Sequence, residues 1–341
     1  MKEKTGRKVL FIGIDLGTSR SAVSAGNGTR AWTESYVGWP KDFISAKVLG
    51  KKVLFGADAL EHRLSLDLYR PLERGVIKEG LERNEEAVRE LIRYLVEMTK
   101  PEEGHYIQAI VGVPADTLKT NKLAIRKAVQ EYVHALMVVS EPFAVAYSLD
   151  LLDNAMVIDI GAGTVDFCIM HGSIPGEGDQ KTILTAGDYV DEQLFGYLQE
   201  KFPRSTFTLN MVRQFKEQYG FVGKPEGRVE VDLPVDGKPV KHDITEELRR
   251  ACESIMPAII DTAYQMIARF DAEFQNRVKN NIVVAGGMSQ IRGIAPCIAE
   301  GLKELGKCKV TTVAEPLFAG ADGGLQLAQD MPDHYWERLH A

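Results

Sequence analysis

The sequence predicts an α/β protein that is built from two related halves. Short apolar runs alternate with stretches of helical periodicity along most of the 341 residues, a pattern typical of this class. An Asp-x-Gly triplet ends such a run twice, at residues 15–17 and 159–161, and a second strand-like run follows each triplet. The chain length corresponds to about two domains. Together these observations predict two similar halves with a cleft between them.

In the first half, the predicted strands and helices follow one another in order. A strand over 9–14 meets the first glycine turn, and apolar residues resume at 22–23. Apolar positions at helical spacing predict a helix over 84–98, with Asn84 as its N-cap. The other predictions for this half are a strand over 106–113, a helix over 116–132, a strand over 136–139, and a helix from Pro142 to about 152.

The second half repeats this alternation. The strands 155–158 and 165–170 flank the second glycine turn, and a third glycine pair, Gly286 and Gly287, ends a strand over 281–285. The remaining predictions are a helix over 210–219, a hairpin over 228–243, one long helix over 245–270 that contains Pro257, and helices over 289–305 and 316–329.

An apolar stretch in the first half is expected to form the core of a small subdomain. Its residues are Val37, Trp39, Phe43, Ile44, Val48, Leu49, Val53 and Phe55. We predict that most of them are buried, and the sequence assigns none of them by name to an interface.

The composition is that of an ordinary globular protein and excludes several functions. Hydrophobic residues make up 45% and charged residues 26%, and 41 basic against 48 acidic residues give a net charge of -7. Such a chain is a poor candidate for nucleic-acid binding, which needs clustered basic charge. No apolar run reaches 18 residues, so we expect no direct membrane insertion. The four cysteines form no CxxC pair and the seven histidines are scattered, which predicts no zinc site.

The two glycine turns predict a phosphate site. Glycines let backbone N–H groups approach a bound anion, and here Gly17, Thr18 and Ser19 would face a second set of Gly161, Gly163 and Thr164. Asp15 and Asp159 would hold a hydrated Mg²⁺, which prefers carboxylates and water. A single Asp-x-Gly turn is also common in ordinary hairpins, so the hypothesis rests on the two turns in register and the third glycine pair.

Five motifs in order resemble the actin, Hsp70 and sugar-kinase superfamily. Residues 9–19 and 157–166 are similar to its two phosphate motifs, 140–147 and 315–323 to its two connecting helices, and 283–289 to its adenosine motif. Within the superfamily the resemblance narrows to bacterial actins, because 214–219 is similar to the actin segment that contacts the nucleoside. The stretches 37–42, 139–143, 187–192 and 332–336 resemble the magnetosome filament actins.

The resemblance implies an actin-like fold, in which each of two related domains has a mixed sheet flanked by helices and the nucleotide lies in the cleft between them. Domain I would comprise residues 1–147, with an outer lobe at about 35–80, and would be closed by a C-terminal helix over 325–341. Domain II would comprise residues 148–324, with an outer lobe at about 188–250.

The resemblance also implies roles for individual residues. Glu141 would position the attacking water and Asp159 would organise Mg²⁺ and that water, while Asp15 would hold metal-bound waters. Glu141 also fits a plain N-cap carboxylate, since it lies where a strand ends and a helix begins. The predicted nucleotide contacts are Asp15, Gly17, Thr18, Ser19, Gly161, Ala162, Gly163, Thr164, Gly187, Asp188, Lys216, Glu217, Gly286, Gly287 and Ser289. Lys216 and Glu217 also fit a solvated helical face, and Arg20 is expected to be a surface charge.

The function implied is an ATP hydrolase that polymerises head to tail into cytoplasmic, cytoskeletal filaments. Its cofactors would be ATP or ADP and Mg²⁺, and its partners would be further copies of itself and magnetosome-associated adaptor proteins. Three alternatives remain at this point: a monomeric enzyme related to sugar kinases or exopolyphosphatases, a chaperone-type nucleotide-binding domain, and a scaffold that binds nucleotide without hydrolysing it.

Overall fold

The computed structural model describes residues 3–4, 7–73, 76–77, 82–115 and 118–339. Its strands, numbered in chain order, are β1 (Glu3–Lys4), β2 (Arg7–Leu16), β3 (Arg20–Ala25), β4 (Arg30–Glu34), β5 (Val37–Pro40), β6 (Leu54–Phe55), β7 (Leu66–Tyr69), β8 (Leu72–Glu73), β9 (Val76–Ile77), β10 (Tyr106–Val113), β11 (Ala135–Ser140), β12 (Asp153–Ile160), β13 (Val165–His171), β14 (Gln180–Ile183), β15 (Glu230–Val235), β16 (Lys238–Asp243), β17 (Ile282–Ala285) and β18 (Val310–Thr312).

The helices connect and cover these strands. They are α1 (Phe43–Leu49), α2 (Gly56–Glu61), α3 (Glu82–Met98), α4 (Leu118–Val129), α5 (Glu141–Ser148), α6 (Gly187–Lys201), α7 (Leu209–Tyr219), α8 (Thr245–Glu253), α9 (Met256–Ala268), α10 (Ala272–Val278), α11 (Ile294–Gly301), α12 (Ala319–Asp330) and α13 (Asp333–Trp336). Within the described residues, no helix has both the length and the apolar character that a membrane span requires.

Two mixed sheets with the same strand order form the centre of the molecule. The first has the order β4-β3-β2-β10-β11 and the second the order β14-β13-β12-β17-β18. In each sheet the central strand, β2 or β12, runs parallel to one neighbour and antiparallel to the other. The predicted α/β class and the two related mixed sheets are therefore confirmed. Asp15 and Asp159 lie near the carboxyl ends of these two central strands, at equivalent places.

The two connecting helices α5 and α12 lie between the sheets in a core of their own. This core joins residues of both central strands, such as Phe11 and Val157, to the buried Trp336 near the end of the chain. α5 and α12 meet at backbone distance: a Cβ added to Gly323 would lie 1.7 Å from the carbonyl oxygen of Ala144. On its other side α12 touches β2, where a Cβ on Gly13 would lie 2.0 Å from the carbonyl oxygen of Ala321. Glycine at both places is what permits this packing.

Several predicted helices differ from the observed ones for reasons of backbone geometry. The single helix over 245–270 is two helices, α8 and α9, and Pro257 lies in the first turn of α9, where its missing N–H removes no hydrogen bond. The helix predicted to run to 152 ends at Ser148, and Asp150 then adopts a left-handed φ of 54°. The helix predicted over 289–305 is confined to α11 with a short 3₁₀ turn on either side, because Gly293 interrupts it with a φ of 85°.

The termini of other predicted helices also differ from the observed ones. Asn84 lies inside α3 instead of capping it, because the helix already includes Glu82. The predicted helix over 325–341 is the end of α12 followed by α13, with Pro332 between them. Residues 116–117, where α4 was predicted to start, and residues 340–341 lie outside the described residues. The division into domains at residue 147 stays a prediction.

The apolar stretch 37–55 is buried only in part. Val37 is fully buried, and Trp39, Val53 and Phe55 pack against the core of the first sheet. The expectation of burial is wrong for three residues of the stretch, since Phe43, Ile44 and Val48 on α1 are 80%, 58% and 77% exposed. The helix turns its small residue Ser45 inward instead, where it forms a capping box with Asp42.

Candidate active site

The turns that follow the two central strands face one another across a cavity of about 430 Å³. Residues 17–19 lie between β2 and β3, and residues 161–164 lie between β12 and β13. The start of α5 and the glycine pair after β17 complete the walls. The volume is in the range of small-molecule sites, and the cavity opens where the parallel strands of both sheets end.

All but two of the residues predicted to act at the site line this cavity. They are Asp15, Gly17, Thr18, Ser19, Glu141, Asp159, Gly161, Ala162, Gly163, Thr164, Gly187, Lys216, Glu217, Gly286 and Gly287. The structure thus brings the two phosphate turns, the carboxylates and the glycine pair into one site. That these residues contact a nucleotide stays a prediction.

Three carboxylates that line the cavity, those of Asp15, Glu141 and Asp159, have raised pKa values. Burial raises the pKa of Asp15 to about 7. Burial also raises the pKa of Glu141 and of Asp159 well above the usual range, and the negative charges of Asp15 and Asp166 add to both shifts. Like charges held together in a shielded site disfavour full ionisation, so these groups would release their protons more readily once a cation is present.

The donor set fits a hydrated divalent cation better than a metal held directly by several side chains. Among the residues that the structure describes, no group of three or more His, Cys, Asp or Glu could hold a metal ion by itself. Asp15 and Asp159 nevertheless face the same cavity from the two sheets. Mg²⁺ usually keeps several waters and is bound through one or two carboxylates together with substrate phosphates, which matches this arrangement.

Gly286 allows the third wall to approach Asp159. Its φ of 77° lies in the left-handed region, and an added Cβ would lie 2.4 Å from the Oδ1 of Asp159. A side chain at this position would therefore displace the carboxylate. Local geometry therefore requires glycine at position 286, in addition to any role of this residue in nucleotide binding.

The solvated helical face that the sequence allowed for the α7 segment is wrong for Lys216, whereas Glu217 is exposed. Lys216 is buried, and its Nζ donates to the carbonyl oxygen of Gly187 at 2.8 Å and pairs with Asp191 at 2.7 Å. Glu217 is more exposed and pairs with Arg20 across the cavity at 2.9 Å. Arg20, expected at the surface, is partly exposed and also lines the cavity.

Asp188 and Ser289 do not line the cavity. The carboxylate of Asp188 is occupied by Arg70 and Arg213. The Oγ of Ser289 is buried and finds no hydrogen-bond partner in the described part of the chain. Their contact with a nucleotide remains a prediction that this geometry does not support.

Arg70 and Arg213, the two cations that bind Asp188, are site residues that the sequence did not predict. Arg213 lines the cavity and binds both Asp188 and Asp191, at 3.2 Å and 3.0 Å. A signal was present: the two aspartates are three residues apart on α6, and Arg213 and Lys216 have the same spacing on α7. Residues at this spacing share one face of a helix, so the two helices present opposite charges to each other.

The fold and the site together define an actin-like protein. The comparison with solved structures gives a TM-score of 0.93 to a subunit of a MamK double helical filament, at 42% sequence identity over 95% of this chain and 100% of that one. A non-polymerising MamK mutant bound to AMPPNP matches with the same identity and coverage, at a TM-score of 0.74.

The family follows from the sequence comparisons. The model of the MreB/Mbl protein family matches residues 9–335, and the chain belongs to this family. It is 42% identical to the actin-like protein MamK of Paramagnetospirillum magneticum over 337 residues, which cover 99% of this chain and 97% of that protein. The identity to the actin-like protein MamK of Magnetospirillum gryphiswaldense is also 42%, over 99% of this chain and 94% of the relative.

Proposed function

We propose that this protein is an actin-like ATPase that polymerises head to tail with ATP and disassembles after hydrolysis. The main support for the proposal is that two equivalent strand-end turns, three carboxylates and a glycine pair all line the same cavity. The relatives named above, which include a filament subunit and a nucleotide-bound mutant, support both parts of the proposal.

The two turns would hold the phosphates. Gly17, Thr18 and Ser19 offer backbone N–H groups and hydroxyls from the first sheet, and residues 161–164 offer the same groups from the second. Successive backbone N–H groups in turns of this kind form concave anion-binding sites. The nucleoside would lie against α7 and the pair Gly286 and Gly287, which also line the cavity.

Asp15 and Asp159 would hold Mg²⁺ through its waters. The bound ion would neutralise phosphate charge, on which phosphoryl transfer depends more than on covalent chemistry. The raised pKa values of the two carboxylates favour their protonated forms when no cation is bound. Cation binding would therefore be accompanied by proton release.

Glu141 would position and deprotonate the attacking water. It begins α5 directly after β11, and its Cγ lies over Gly112 of the neighbouring β10, where an added Cβ would be 3.5 Å away. Burial and the neighbouring carboxylates raise the pKa of Glu141, and an ionised carboxylate with a raised pKa is a stronger base than an ordinary glutamate. Ser140 is the N-cap of α5 and Glu141 is the first residue of the helix, so Glu141 is not the N-cap carboxylate that the sequence also allowed.

Assembly would follow from the domain arrangement. The overall match is closer to the filament subunit than to the non-polymerising mutant, although the two are equally identical in sequence, which supports a polymer-competent arrangement here. Identical subunits that join through two different surfaces form an open filament. By likeness to MamK, such filaments would be cytoskeletal, lie in the cytoplasm and position magnetosomes, with adaptor proteins as further partners.

The catalytic part is tested by comparing Glu141→Gln with Glu131→Gln. Glu131 is an exposed glutamate outside the cavity, so its variant is a matched control for the same chemical change. We expect Glu141→Gln to lower phosphate release at least about a hundredfold, the scale of a lost general base, while a fluorescent ATP analogue still binds. Asp159→Ala should lower both hydrolysis and Mg²⁺-dependent binding.

Filament turnover is measured on the same samples by sedimentation. Glu141→Gln filaments should form with ATP and persist, and those of the control should disassemble as phosphate appears. Normal phosphate release in both Glu141→Gln and Asp159→Ala would contradict the catalytic assignment. A protein that stays monomeric with ATP and phosphorylates a sugar would contradict the filament proposal.

A further inference from the structure

A further ion pair, beside the cavity, joins the two halves of the molecule. Arg70, the residue after β7, donates both terminal guanidinium nitrogens to the carboxylate of Asp188 in the first turn of α6, at 2.7 Å and 3.1 Å. The side chains are only 21% and 27% exposed. Bidentate pairs of this kind are directional and stronger than ordinary surface pairs, especially when they are partly shielded from solvent.

Each partner of this pair is also tied to one of the two phosphate turns. The Nε of Arg70 donates to the carbonyl oxygen of Thr18, in the first turn, at 2.8 Å. The backbone N–H of Asp188 donates to the carbonyl oxygen of Ala162, in the second turn, at 2.7 Å, and that of Gly187 donates to Gly161 at 3.1 Å. A continuous chain of hydrogen bonds therefore runs from one phosphate turn through the ion pair to the other.

The surrounding charges keep the pair in place. Arg213 donates to Asp188 at 3.2 Å and to the hydroxyl of Tyr36, in the first half of the chain, at 3.2 Å. Its Nε binds Asp191 at 3.0 Å, and Asp191 in turn pairs with Lys216. Three cations thus share two buried or half-buried carboxylates, which fixes the first turn of α6 relative to α7.

We infer that Arg70 and Asp188 are positioning residues that set the spacing between the two phosphate turns, and that they act as a clasp which must open before nucleotide leaves. This inference rests on the proposed nucleotide function. It assigns Asp188 to the clasp and not to direct contact with the nucleotide. The pair touches no reacting atom, and its effect would pass through the backbone carbonyls of Thr18 and Ala162.

The test measures how fast a fluorescent ADP analogue leaves the full-length protein when it is chased with unlabelled ATP. The variants are Arg70→Gln, Asp188→Asn, the two combined, and Arg70→Lys. Arg204→Gln is the matched control, because Arg204 and Asp236 form an ion pair at 2.7 Å that is 78% and 74% exposed and lies outside the cavity. Thermal unfolding without nucleotide shows that each variant is folded.

We expect Arg70→Gln and Asp188→Asn each to speed dissociation about tenfold, which corresponds to about 1.4 kcal/mol. The double variant should show nearly the same rate, because either change alone opens the clasp. Arg70→Lys keeps the charge but not the bidentate geometry, so its dissociation rate should lie between those of the unmodified protein and Arg70→Gln. Rates within twofold of the unmodified protein, or a double variant that multiplies the single effects to about a hundredfold, would overturn the inference.

A second measurement separates this inference from the nucleotide proposal. In the protein without nucleotide, amide hydrogen exchange should increase at both turns, 17–19 and 161–164, in Arg70→Gln and in Asp188→Asn but not in Arg204→Gln. Unchanged exchange at either turn would overturn the clasp. If the unmodified protein binds no nucleotide, the proposed function fails, and the exchange result still decides whether the pair couples the two turns.

Discussion

The crossing of the two connecting helices makes a sharp prediction for Gly323→Ala. The added Cβ would lie 1.7 Å from the carbonyl oxygen of Ala144 and 3.2 Å from the backbone nitrogen of Ser148. A carbon–oxygen contact is normally about 3.3–3.6 Å, so α12 and α5 would have to separate by about 1.5 Å or more. Neither atom belongs to a flexible side chain, and the strain must be taken up by the helices themselves.

The magnitude follows from two opposing terms. Overpacking a well-packed core costs about 1–3 kcal/mol, and a backbone overlap lies at the upper end. Alanine recovers about 0.8–1 kcal/mol of helix propensity relative to glycine. We therefore expect Gly323→Ala to lower the free energy of unfolding by about 2 kcal/mol and, because these helices link the sheets, to impair ATP-dependent sedimentation.

Gly196→Ala is the matched control. Gly196 is an exposed residue in the middle of α6, and an added Cβ would meet nothing within 4 Å. The same substitution should raise the free energy of unfolding there by about 0.5–1 kcal/mol. Urea unfolding of both variants, followed by circular dichroism, measures the difference. Equal effects of the two substitutions, or stabilisation by Gly323→Ala, would refute the proposed helix contact.

Three further predictions follow from burial and charge. Leu66→Ala should lower the free energy of unfolding by about 2–5 kcal/mol, because Leu66 is only 1% exposed. Leu64→Ala, at an 84% exposed position two residues away, should change it by less than about 0.5 kcal/mol. Equal urea midpoints for the two variants would contradict this prediction. Trp336→Ala should lower the free energy of unfolding by about 3–5 kcal/mol, because the ring is buried against Phe11 and its Nε1 donates to a carbonyl oxygen of α12. A variant as stable as the unmodified protein in the same assay would be inconsistent with this packing. Burial raises the pKa of Asp15 to about 7, so the folded protein without cation keeps a proton there that the unfolded chain releases near pH 4. Stability should therefore fall as pH rises from about 4 to 7, and Asp15 contributes at most about 1.4 kcal/mol per pH unit to this slope. Asp15→Asn should make the slope shallower without abolishing it, because the pKa values of Glu141 and Asp159 are also raised, and an identical pH profile in that variant would disprove the assignment.

The phosphate turns could be predicted from the sequence because their signal is local. An apolar run followed by Asp-x-Gly specifies a buried strand, its end and a backbone that leaves room for an anion. The repetition of this signal around Asp15 and Asp159 also predicts two strand ends at equivalent places in two related sheets. The carboxylate of Glu141 was placed by the same reasoning, from a strand that ends where a helix begins.

Other parts of the structure depend on tertiary contacts that the sequence does not display. Phe43 and Ile44 are as apolar as core residues, but α1 has only seven residues and its periodicity is too short to show which face turns inward. The partner of Asp188 is Arg70, which is 118 residues away in the chain. Such a pair becomes visible only when both lobes are folded, and so the sequence suggested a nucleotide contact instead.

In the proposed mechanism, ATP in this cavity drives assembly and Glu141 drives its reversal. The most direct measurement follows sedimentable protein and released phosphate in one sample over time, with ATP and with ADP, for the unmodified protein and Glu141→Gln. We predict filaments in electron micrographs with ATP, loss of sedimentable protein as phosphate appears, and Glu141→Gln filaments that persist with little phosphate released. Equal assembly with ATP, ADP and no nucleotide, or equal turnover in the two proteins, would contradict the account.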